Sequence, residues 1–70
     1  MRKITEEDLD RGELIDIDEF VGSCISGDLT DYDGHGHMVD DDDIFDRIEV
    51  GASDYNDIPE SITHILWFKH

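Results

Sequence analysis

The sequence predicts an α+β fold: one or two short helices packed on a small antiparallel β-sheet of three to four strands, in a single acidic domain spanning residues 1–70. Three observations lead there. Two stretches open with helix-start signals. The chain ends on a run of alternating apolar residues that reads as a strand. Between them, Asp33-Gly34 is a two-residue turn signal with strand-like runs on either side. Six aromatics and nine isoleucines are enough for a compact core, which separates this chain from a disordered acidic tail. The core must nevertheless be small, and a formal net charge of −15 works against compaction.

Thr5 reads as an N-cap, with Glu6, Glu7 and Asp8 in the first turn and Ile4 stapled to Leu9. Gly12 ends this short element. The same grammar recurs at Asp16, with Glu19 three residues on and Ile15 able to staple to Phe20. Residues 17–26 form the main helix: Phe20, Val21, Cys24 and Ile25 share a face, and Gly27 is the stop. Gly22 lies in its middle, where another element can approach closely.

Residues 29–32 and 35–39 are expected to pair as a hairpin through Asp33-Gly34, placing Tyr32 opposite His35 and Thr30 opposite His37; a wider loop from Asp33 to Gly36 is the alternative and would shift every pair. Asp40, Asp41, Asp42 and Asp43 then form a solvated connector, because such a run cannot be buried. Residues 44–50 fit either a strand or a helix capped by Asp43. Ile44, Ile48 and Val50 favour the strand. Residues 51–60 read as loop. Residues 61–69 are the clearest strand, apolar on both faces and so interior to the sheet. The expected core is Ile15, Phe20, Val21, Cys24, Ile25, Leu29, Ile48, Val50, Ile62, Ile65, Leu66 and Trp67. Apolar residues on both faces of the last strand also offer a surface that a second copy of the chain can cover, as a homodimer.

Cys24 is the single cysteine and sits in an apolar helical pattern, so it reads as a structural thiol without a disulfide. Glu6, Glu7 and Asp8 follow closely on Arg2 and Lys3, unlike a secretory leader, and the longest apolar run, 65–68, is too short to span a bilayer. The chain is expected to be soluble and intracellular.

Catalysis finds no constellation, and no cofactor is expected. There is no phosphate loop, and although Cys24 could pair with a histidine as a nucleophile, its place on an apolar helix face favours a buried structural thiol. Aligned to an EF-hand loop with Gly34 at position 6, Asp31, Asp33 and Asp40 fall at positions 3, 5 and 12, but Leu29 occupies position 1 and Gly36 an apolar position. An Asp-Gly turn is the simpler reading. His35 and His37 share one face of a strand, yet zinc needs three or four ligands. Only Asp31, Asp33 or His64 suggests itself as a third. The two histidines are therefore read as exposed hairpin residues, and no metal centre is assigned.

The acids remain to be explained: fourteen Asp and six Glu. Such a surface repels nucleic acid and anionic membranes and attracts basic proteins. Three uses fit: imitation of nucleic acid, adaptation to high salt, or docking to a basic partner. Salt adaptation should spread acids evenly, whereas 40–43 is a block and 61–70 holds none. Carboxylates two apart on a strand stand roughly 6.5–7 Å apart, close to phosphate spacing. With one charge per about 1.7 Å of duplex axis, fifteen charges match about 25 Å of DNA.

In size, acidity and lack of catalytic groups, the whole chain resembles the small acidic phage-encoded DNA-mimic inhibitors of the anti-CRISPR type. That resemblance implies an inhibitor in the host cytoplasm. It would occlude the positively charged DNA-binding channel of a nuclease or CRISPR surveillance complex. The expected contact surface is Asp28, Asp31, Asp33, Asp40, Asp41, Asp42, Asp43, Asp46 and Glu49, supported by Asp16, Asp18 and Glu19. The alternatives are an acidic docking module for a basic protein and a weak divalent-cation-binding domain.

Overall fold

A computed structural model describes residues 2–42 and 44–69, with side chains for all of these except Arg2, Phe45, Asp46, Arg47 and Ile48. The element order is β1 (Arg2–Lys3), α1 (Glu6–Arg11), β2 (Glu13–Asp16), α2 (Ile17–Ser26), β3 (Gly34–Asp40), β4 (Ile44–Val50), a 3-10 helix (Ala52–Asp57) and β5 (Ile62–Lys69). The strands form one antiparallel sheet in the order β1-β4-β3-β5-β2. This is the α+β class that the sequence predicts: four strands of four residues or more, extended by the two-residue β1. No helix among the described residues is long and apolar enough to cross a membrane.

Both helix starts follow from local chemistry. Thr5 caps α1 in a capping box: its hydroxyl accepts from the Asp8 N–H, and the Asp8 carboxylate accepts from the Thr5 N–H at 2.9 Å. That reciprocal arrangement is how a buried Asp8 is tolerated. Leu9 is 47% exposed, however, so the expected staple gives way to a longer-range contact in which Ile4 packs against Val39 and Leu66. Asp16 caps α2, accepting from the Asp18 N–H at 3.1 Å. Gly27 ends the helix with φ +85°, a left-handed conformation that glycine adopts without a Cβ penalty.

α2 lies on one face of the sheet, against β5 and the 3-10 helix. There Ile15, Phe20, Met38, Val50, Ala52, Ile62, Ile65 and Trp67 form the main core. The Phe20 and Trp67 rings sit 5.7 Å apart at 53°. Ile17, Val21, Cys24 and Leu29 pack at its margin. Ile25, expected inside, is 68% exposed. At 100° per residue it lies about 90° from the centre of the stripe made by positions 17, 20, 21 and 24, past the edge of the sheet contact. Gly22 also faces open space, so nothing approaches it as expected. Ile48, expected in the core, lies outside the described side chains.

The largest departure concerns the hairpin. Residues 28–33 are turns, not a strand. Asp33 accepts from the Thr30 N–H at 3.1 Å and its own N–H donates to the Thr30 carbonyl, closing a local turn that leaves Tyr32 92% exposed. β3 instead pairs with β4 and β5. The connecting turn is built from the aspartate run, where Asp40 Oδ1 accepts from the N–H groups of Asp42 and Ile44 at 3.0 and 3.1 Å. Asp41 and Asp42 therefore lie at the tip of a hairpin, and Asp40 is its structural cap. Residues 44–50 form the favoured strand. Residues 52–57, expected as loop, form the 3-10 helix, with Asp54 accepting from the Gly51 N–H at 3.0 Å.

β1 and β2 occupy opposite edges, so the segment joining them crosses the second face of the sheet. There Ile4 and Phe68 cover Val39 and Leu66. This explains why β5 is apolar on both sides: the chain covers its own second face at this point.

Candidate functional site

β3 organises the distribution of acids. Asp40, Asp41 and Asp42 lie at its far end, on the turn into β4. Asp31 and Asp33 lie just before its start. Seven residues of strand separate the two groups by roughly 20 Å. The near end is tied together by Asp31, which accepts from the Ser53 hydroxyl at 2.9 Å and the Ser53 N–H at 3.2 Å. These hydrogen bonds, the hydroxyl first, hold the Asp31 carboxyl below its ordinary pKa against a small opposing effect of desolvation. The thiol of Cys24 is pushed up, mainly by burial and then by the negative charge of Asp31.

A third acidic feature lies between β2 and α2. Glu13, Glu19 and Asp28 line an open groove of about 480 Å³ together with Ile15, Leu29, Gly22, Ser23 and Ser26. All three carboxylates are on exposed residues. The lining combines apolar contact from Ile15 and Leu29, two serines and three carboxylates, a mixture suited to a Lys or Arg side chain with an apolar stem and a cationic head. Glu13 carries no signal in the sequence; its place in the groove comes from the packing of β2 against α2.

The twelve expected contact residues are thus divided. Glu19 and Asp28 line the groove. Asp16 and Asp18 stand at the start of α2, with Asp16 Oδ1 3.9 Å from His64 Nε2. Asp31 and Asp33 lie at one end of β3, and Asp40, Asp41 and Asp42 at the other. Asp43 lies outside the described residues, as does the side chain of Asp46.

Glu49 belongs to a different group. On the second sheet face it sits opposite His37, its register partner across β3 and β4. His35 is two residues away on the same side of β3. Ligand atoms of His35, His37 and Glu49 all lie within 4.8 Å of one another. Both histidines are half-buried, contrary to the exposed hairpin position expected of them. Their rings meet edge-on at 5.4 Å, and each lies 5.7 Å from the Phe68 ring. The third potential ligand comes from twelve residues further along the chain, and no local spacing announces it.

Fold and site together define a small α+β domain with two acidic ends, an acid-lined groove and a His–His–Glu group. Comparison with protein-family models, curated proteins and solved structures finds no match.

Proposed function

We propose that the protein is a polyanionic binding module that docks on a basic protein surface and occupies it in place of nucleic acid. The observation that carries this reading is the groove in which Glu13, Glu19 and Asp28 come together with Ile15 and Leu29. Capping of backbone N–H groups explains Asp8, Asp16, Asp33, Asp40 and Asp54. It does not explain Glu13 and Glu19, which share a groove with Asp28, whose carboxylate accepts from the Ser26 hydroxyl at 3.0 Å. Arg11 is held by Glu7 at 2.8 Å and so neutralises an acid of its own helix. The longest dimension, 29 Å, is comparable to the roughly 25 Å of duplex that fifteen charges represent. The finer reading is the nucleic-acid mimic that occludes the DNA channel of a nuclease or CRISPR surveillance complex.

The test is competition. Basic DNA-binding proteins retained on the immobilised protein are challenged with a short duplex at increasing salt. Release by the duplex, a steep salt dependence, and loss of retention in a Glu13→Gln, Glu19→Gln, Asp28→Asn variant are expected. Retention that survives the triple substitution refutes the groove assignment. Retention that ignores the duplex leaves a docking module and removes the mimicry.

A further inference from the structure

We propose that His35, His37 and Glu49 bind one divalent transition-metal ion of the zinc class. The donor set selects the ion: two imidazoles and one carboxylate suit zinc and its neighbours, whereas calcium and magnesium prefer oxygen alone. A tetrahedral zinc ion with bonds of about 2.0–2.2 Å holds its ligand atoms roughly 3.3–3.6 Å apart. Ligand atoms already within 4.8 Å close onto such an ion by side-chain rotation, without a change of strand register.

Several features hold the group in place. His35 and His37 alternate with Gly34, which abuts the β5 backbone at Phe68, and Gly36, which faces the core, so β3 is seated tightly beneath the imidazoles. A Cβ on Gly36 would fall 2.5 Å from Ile65 Cγ2. The Phe68 ring flanks both histidines. Glu49 comes from the neighbouring strand in direct register with His37, so the three ligands span two hydrogen-bonded strands. Three protein ligands leave a fourth position for water or an outside ligand, the arrangement of open rather than closed zinc sites. The surrounding negative surface raises the local cation concentration. This inference is independent of the groove and its partner.

The experiment is a calorimetric titration of the purified chain with Zn²⁺ alone, repeated with Co²⁺ followed by visible absorption. One saturable ion per chain is expected. Imidazole resonances of His35 and His37 should shift while those of His64 do not. Glu49→Gln alters an exposed residue and leaves the core intact. It should weaken binding by more than about 100-fold, since even groups that only support a ligand are worth 10–100-fold. Asp41→Asn with Asp42→Asn should change the affinity less than twofold. Absence of a saturable site, or zinc binding that follows Asp41 and Asp42 and ignores Glu49, overturns the proposal.

Discussion

Replacing Gly36 with alanine tests the packing on which the β3 histidines depend. The added Cβ would lie 2.5 Å from Ile65 Cγ2, 3.0 Å from Trp67 Cε3 and 3.2 Å from Val50 Cγ1. All three neighbours are essentially fully buried, so none can swing into solvent. Overpacking of this kind costs about 1–3 kcal/mol. Stiffening of the unfolded chain by the methyl group returns about 0.4–1 kcal/mol. The net expectation is destabilisation by about 1–2 kcal/mol, where a chain of this size rarely holds more than about 3–5 kcal/mol in total. At about 4–8 °C per kcal/mol, Tm should fall by roughly 4–16 °C, read by circular dichroism and checked by urea unfolding. Gly22→Ala is the matched control. Open space surrounds that position in the middle of α2, so the same change should stabilise by up to about 1 kcal/mol. A Gly36→Ala variant as stable as the parent would refute the seating of β3 on Ile65 and Trp67, and with it the placement of the imidazoles.

Asp31→Ala should lower Tm at neutral pH, and the gap from the parent should close as pH falls. The folded pKa of Asp31 is depressed, so its contribution is present above the ordinary value of 3.8 and is lost as pH drops through the folded value. A gap of constant size across an acid series would contradict this. Cys24 should alkylate with iodoacetamide more slowly than a free thiol at neutral pH, and Asp31→Asn should speed the reaction by removing a charge that disfavours the thiolate; equal rates for Cys24 and free cysteine would count against its burial. The protein should stay folded at about 0.01 M salt, where charges interact over about 30 Å, with Tm rising modestly as salt is added. Unfolding at low salt would instead make the acidity an adaptation to brine.

What the amino-acid sequence determined by itself is whatever depends on neighbours within about one helical turn. The Thr5 and Asp16 caps, the Gly27 stop, the span 17–26 and the alternation of the last strand are all set by contacts three or four residues apart. The apolar patterns likewise placed Phe20, Val50, Ile65, Leu66 and Trp67 inside. Strand pairing is a different matter, because a turn signal states only that the chain can reverse. The chain does turn just upstream, through Thr30–Asp33, with Gly34 already the first residue of β3, but residues 29–32 carry too little apolar surface to compete with β4 and β5 for β3. Once β5 and β4 flank β3, the reversal falls to Asp40–Asp42, β2 gains a partner, and Glu13 comes to line the groove. The same pairing sets Glu49 beside His37 across twelve residues of chain. Register is a property of the whole sheet, decided by which faces can be buried together. For that reason both candidate sites became visible only in three dimensions.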